Sequence, residues 1–306
     1  MDVYSLTLAA MLVTCGTLGD RIGRRRMVLS GFLAFGLASA ACAFSTSTAQ
    51  LIAARAGLGV AAAMIAASTV AIIRVVFTDD RERAFAIGVW TSAHSLGATI
   101  GPLLGGLVAE KWGWSAVFLV NVPVIVVILA VGARVIPESK NPVPRRWDLA
   151  SVMLSVTGLA GVVYALKQAG EHAGVDTVIL VIALGGASLL YAFVRRQRHL
   201  AEPLLDFSLF GERRFTTAIL CVIGCFGSYV ALLFFLTQWL QHVCAYSPVR
   251  AGLALMPLAA ANAVGAITAP WAANRWGNRW ALTSRTPLGL FLGLVWGMLG
   301  VWTYMK

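Results

Sequence analysis

Apolar runs of bilayer length follow one another along this chain with almost no polar sequence between them, near 3–19, 27–45, 51–73, 84–109, 114–136, 149–167, 177–194, 215–241, 251–273 and 286–303. A hydrocarbon core takes about 20 apolar residues per helix. Backbone groups have no water to bond inside lipid, so each run reads as a transmembrane helix. Only 12% of the 306 residues are charged, against about 25% in an ordinary soluble chain. The fold class that follows is an all-α integral membrane protein with about ten transmembrane helices.

The breaks between runs set the orientation. Gly16-Thr17-Leu18-Gly19-Asp20-Arg21-Ile22-Gly23-Arg24-Arg25-Arg26 is a glycine-rich basic turn between two apolar runs. Charge this dense cannot sit in hydrocarbon, and arginine marks the cytoplasmic face. Every second break continues the pattern: Arg74, Arg81 and Arg83; Arg134, Lys140, Arg145 and Arg146; Arg195, Arg196, Arg198, Arg213 and Arg214; Arg275, Arg279 and Arg285. The opposite face keeps only Lys111, Lys167, Arg250 and Lys306, and Arg55 lies within a run. The net charge of +11 is thus spent on topology. Nucleic-acid binding would need a basic face on a water-soluble fold, and none is expected. With these turns inside, both ends fall outside, and with only Met1-Asp2 ahead of the first run the expectation is a missing upstream helix. Cys15, Cys42, Cys221, Cys225 and Cys244 show no zinc or redox spacing. No His, Asp, Glu, Ser or Cys set clusters at one depth, so an enzyme is not expected.

A faint repeat lays Gly16–Arg26 on Pro270–Trp280, matching Arg21 to Arg275 and Gly23 to Gly277 and replacing Asp20 by Asn274. Weak similarity between parallel halves is a mark of duplicated transporters. At this point the chain resembles a family. The turn with Met27-Val28-Leu29 looks like the signature loop of the major facilitator superfamily, and Leu51–Gly59 around Arg55 looks like its second motif. Gly97-Ala98-Thr99-Ile100-Gly101-Pro102-Leu103-Leu104-Gly105-Gly106 looks like its antiporter motif. Trp112-Gly113-Trp114, Phe118, Asn121-Val122-Pro123 and Phe235–Gln241 resemble the drug:proton antiporters with fourteen spans.

The resemblance implies a major-facilitator-type bundle in the cytoplasmic (inner) membrane, driven by a proton gradient with no bound cofactor. It would export small lipophilic or cationic drugs by alternating access; it leaves a periplasmic adaptor open. Residues 1–136 would form five of six helices of the N-terminal bundle, 137–214 two extra central helices, and 215–306 the first three of the C-terminal bundle. The first helix and last three of the family would be absent. The alternative is a truncated, non-transporting membrane fragment of such a permease.

Individual residues carry expectations of their own. Gly16, Gly19, Asp20, Arg21, Gly23, Arg24 and Arg25 form the gating loop. The glycines let backbone approach closely, Asp20 can accept from a neighbouring helix N-terminus, and Arg24 can pair with Asp79 or Asp80. Arg55 is a basic residue inside a span, a functional site by default, with snorkelling to the outer surface as the plain alternative. The resemblance assigns it to proton coupling, where His94 is a second candidate because histidine titrates near neutral pH. Gly97, Gly101 and Gly105 recur at helical spacing, with Gly106 beside them and Pro102 able to bend the helix. Trp90, Gln238, Trp239 and Asn262 are candidates for the substrate cavity, aromatic faces suiting lipophilic cations. No acid lies at the middle of a span. In the family an aspartate of the first helix carries the exchanged proton.

Overall fold

A computed structural model describes residues 3–139, 148–171, 176–200 and 207–276. Among them every regular element is helical: α1 (Val3–Ile22), α2 (Arg24–Ala43), α3 (Thr48–Val76), α4 (Asp80–Trp112), the short α5 (Trp114–Leu119), α6 (Asn121–Val135), α7 (Leu149–Glu171), α8 (Thr177–His199), a 3-10 turn at Phe207–Gly211, α9 (Arg213–His242) and α10 (Pro248–Trp276). Each expected span up to 251–273 falls on one of these helices, the fifth on α5 and α6 together. Among the described residues seven helices, α5 with α6 counted as one, are long and apolar enough to cross a membrane. The other two expected spans are the long helices α4 and α10, of 33 and 29 residues. The span 286–303 lies outside the described residues, as do Lys140, Arg145, Arg146, Arg279, Arg285 and Lys306 of the orientation pattern and residues 277–280 of the repeat.

Helix ends fall where the local chemistry puts them. Gly23, at φ 112° and ψ 130°, breaks the chain between α1 and α2 in a conformation that only glycine adopts without strain. The Asp79 carboxylate accepts from the Arg81 and Glu82 backbone N–H groups at 2.9 and 3.1 Å, capping the otherwise unpaired donors that open α4. Gly113, at φ 82°, closes the same helix. Pro123 is the third residue of α6. It lacks the N–H that would have bonded back across the α5–α6 break.

The described chain forms two compact units. The first runs to Val75 and from Ser115 to Glu212, and its core joins Cys15 of α1, Met27 of α2 and Ala63 of α3. Around it α6 lies along α2, and α7 along α1 and α8. Approach there is close enough to exclude a methyl group: a Cβ on Gly59 of α3 would stand 2.5 Å from the Tyr4 carbonyl oxygen of α1. One on Gly186 of α8 would stand 2.8 Å from the Val162 nitrogen of α7. The second unit runs from Val76 to Trp114 and on from Arg213. In it α10 packs along α4 and against α9, where Leu240, Ala251 and Leu255 are buried together.

Candidate functional site

The basic turn is built on the Gly23 break. The Gly23 N–H donates to the Gly19 carbonyl at 3.0 Å, closing α1, and α2 begins one residue later. That brings Asp20 and Arg24 one helical turn apart, and Arg24 donates to Oδ1 of Asp20 from Nε at 2.9 Å and from Nη2 at 2.7 Å. Of the two acids expected to pair with Arg24, Asp79 caps α4 and Asp80 pairs with Arg83. Of the turn glycines only Gly23 is required by the backbone. A Cβ on Gly19 would find Met27 and Ser68 at an ordinary 3.5 Å, and one on Gly16 would find Ala67 at 4.0 Å. Gly19 is therefore not the point of close approach that its spacing suggests. Arg21 is exposed.

The three consecutive arginines reach the end of α6 and the segment just after it. The Arg24 backbone N–H donates to the Ser139 carbonyl at 2.9 Å, and its Nη1 lies 3.4 Å from Ser139 Oγ. Arg25 donates to the Ala133 carbonyl, one of the last-turn acceptors that a helix leaves unpaired. Arg26 stands 3.7 Å from Glu138. A cation at this end also meets the negative pole of the helix.

Arg55 lies two turns into α3, exposed, with its guanidinium carbon 5.7 Å from the centre of the Phe118 ring of α5. Phe118 is itself held. The fully buried Ser39 of α2 donates to its carbonyl at 2.8 Å and accepts from Asn121 Nδ2 at 3.1 Å. Sequence reasoning found Arg55 but assigned Ser39 nothing, because a serine among alanines carries no spacing signal.

A second polar group was missed for a different reason. Asp148, just ahead of α7, takes a two-pronged pair from Arg196 of α8 at 2.7 and 3.0 Å and a bond from Ser151 Oγ at 2.6 Å. Buried Gln197 donates to the same Ser151 oxygen at 2.6 Å. The Arg196 guanidinium holds the Asp148 carboxyl at about 2, below the usual 3.8. An acid immediately before an apolar run was a readable signal for a helix start.

The remaining candidates lie in the second unit. Trp90 and His94 stack on α4, ring centres 6.3 Å apart. The expected close approach at the antiporter stripe is not found at Gly97 or Gly101, where an added Cβ would meet nothing within 4 Å. Gly105 and Gly106 are half-buried, and Pro102 falls within α4 without ending it. Gln238 and Trp239 are exposed on α9, with His242 Nδ1 3.1 Å from the Gln238 carbonyl, and Asn262 is half-buried on α10. Among the described residues no group of His, Cys, Asp and Glu could hold a metal ion.

The model of the Major Facilitator Superfamily matches residues 1–305. The chain is 41% identical over 275 residues to the multidrug efflux pump LfrA of Mycolicibacterium smegmatis, covering 90% of this chain and 54% of that one. It is 35% identical over 296 residues to the methyl viologen resistance protein SmvA of Salmonella typhimurium, covering 96% and 60%. To the multidrug resistance protein Stp of Mycobacterium tuberculosis it is 36% identical over 262 residues, covering 85% and 49%. The chain thus spans about half to three fifths of the length of these relatives.

Proposed function

Because the chain belongs to the major facilitator superfamily, we propose that it works as a secondary active exporter of lipophilic or cationic drugs. Export is coupled to proton entry across the cytoplasmic membrane by alternating access, with the proton gradient as its drive and no bound cofactor. Relatives named for efflux of several drugs and for resistance to methyl viologen, itself a cation, support this substrate class. In this reading residues 1–136 belong to the N-terminal bundle, 137–214 to the central insert and 215–306 to the C-terminal bundle.

The observation that carries the proposal is the Asp20–Arg24 pair across the Gly23 break. An ion pair on a partly exposed turn can exchange partners at little net cost, so it suits one half of a latch that holds in one state and releases in the other. Arg55 contributes a fixed charge, since a guanidinium stays protonated at any working pH. It does not carry the proton but adds a fixed positive field to the path that the proton would take. Trp90, Trp239, Gln238 and Asn262 would line the path of the cation, and His94 is a secondary relay.

Efflux of a lipophilic cationic dye, measured with and without a protonophore, tests the reading. Asp20→Asn is expected to abolish protonophore-sensitive efflux with the membrane-inserted amount unchanged; efflux at the parent rate would overturn the latch. The chain's coverage of only part of its relatives supports a second reading, a membrane-embedded fragment that does not transport by itself. Dye retention by the unsubstituted chain, correctly inserted, would favour that one.

A further inference from the structure

We propose that Phe118, fixed by Ser39 and Asn121, is a positioning residue that sets the place of the Arg55 charge in the membrane. The inference deepens the transport reading and rests on it for the role of Arg55. The contact itself does not depend on that reading.

Four facts lead there. Arg55 lies seven residues past the start of α3, about 10 Å along the helix axis. Ser39 is four residues before the end of α2, and Phe118 is four residues past the start of α5. All three therefore sit near one end of their helices, at similar depth. A long basic side chain left free at this point of a membrane helix would wander toward the surface. The Phe118 ring offers the guanidinium an alternative: its face is negative, and 5.7 Å to the centroid is within the range of cation–π attraction.

A ring steadies a charge only if the ring is itself steadied. Phe118 is next to last in a six-residue helix that stops just short of Asn121 and Pro123, so the helix ladder alone would hold it poorly. The buried Ser39 hydroxyl supplies the hold, donating to the Phe118 carbonyl at 2.8 Å while accepting from Asn121 at 3.1 Å across the break. Three elements, α2, the α5–α6 break and α3, are thereby tied through one hydroxyl and one ring to one charge.

Two measurements on the whole chain test this. In lipid nanodiscs, a thermal double-mutant cycle of Arg55→Gln, Phe118→Leu and the pair is expected to show non-additivity of roughly twofold to fivefold in the unfolding constant. Phe118→Tyr, which keeps a ring, is expected to remain coupled. Additive effects would overturn the proposal, and this readout needs no transport. In proteoliposomes, Phe118→Leu frees the Arg55 charge to move, which changes the field along the transport path. The pH profile of dye efflux is therefore expected to move from that of the parent. Phe118→Tyr should restore the parent profile, which a loss of packing alone would not. A coupled cycle with an unmoved profile would overturn the positioning role while leaving the exporter reading intact. An unmoved profile for Arg55→Gln as well would count against Arg55 in transport.

Discussion

A methyl group placed on Gly59 or Gly186 in the first unit would run into backbone at 2.5 or 2.8 Å, whereas one on Gly97 or Gly101 of α4 in the second would meet nothing within 4 Å. The two sets look alike in sequence: small residues in apolar helices at spacings that suit close packing. They differ in what they do. In the first unit glycine is consumed, letting α3 touch the α1 backbone and α8 touch that of α7. On α4 two of the stripe's glycines have no described neighbour within 4 Å of an added Cβ. Small-residue spacing therefore identifies helices that can be approached, not those that are.

The largest effect should come from filling a consumed glycine. Gly59→Val is expected to cost about 3 kcal/mol, at the upper end for overpacking, read as a lower unfolding midpoint in detergent; a change under about 0.5 kcal/mol would break the contrast at its strong end. The next sharpens it by asking whether the glycine seam alone holds α7 to α8. Asp148→Asn removes the pair with Arg196 and is expected to cost about 1 kcal/mol, the usual upper value for a partly exposed ion pair. The pH dependence has a definite sign. Asp148 has a folded pKa of about 2 against 3.8 for the free carboxyl, so its contribution is present above about pH 4 and is lost as pH falls toward 2. An acid titration of helicity should show this component in the parent and not in Asp148→Asn. The smallest effect belongs to α4: Gly97→Ala and Gly101→Ala should leave stability unchanged or raise it by about 0.5 kcal/mol, the ordinary gain of alanine over glycine within a helix. If either loses as much as Gly59→Val, the stripe is packed after all.

The helices were legible because length in lipid and arginine at the breaks are one-dimensional signals. The Asp79 cap was legible too, as an acid at the break ahead of α4. The Asp20–Arg24 pair was harder. It depends on Gly23 interrupting the helix without undoing the one-turn spacing on either side, a backbone property that spacing does not state. Ser39 was beyond reach, since its acceptor lies 79 residues away and only the fold brings α2 beside the α5–α6 break. Arg196 was counted only toward topology and Asp148 was given no role, and nothing in the sequence says that these two charges meet.

The run Arg24-Arg25-Arg26 takes hold of the far end of α6 and the segment just after it through unlike handles: a carbonyl and hydroxyl at Ser139, a carbonyl at Ala133, a carboxylate at Glu138. Such mooring is redundant, since cutting any one line leaves two tied. A single substitution in this run that silences the protein would have to act on the electrical state of the turn, because the helix end would not have come adrift.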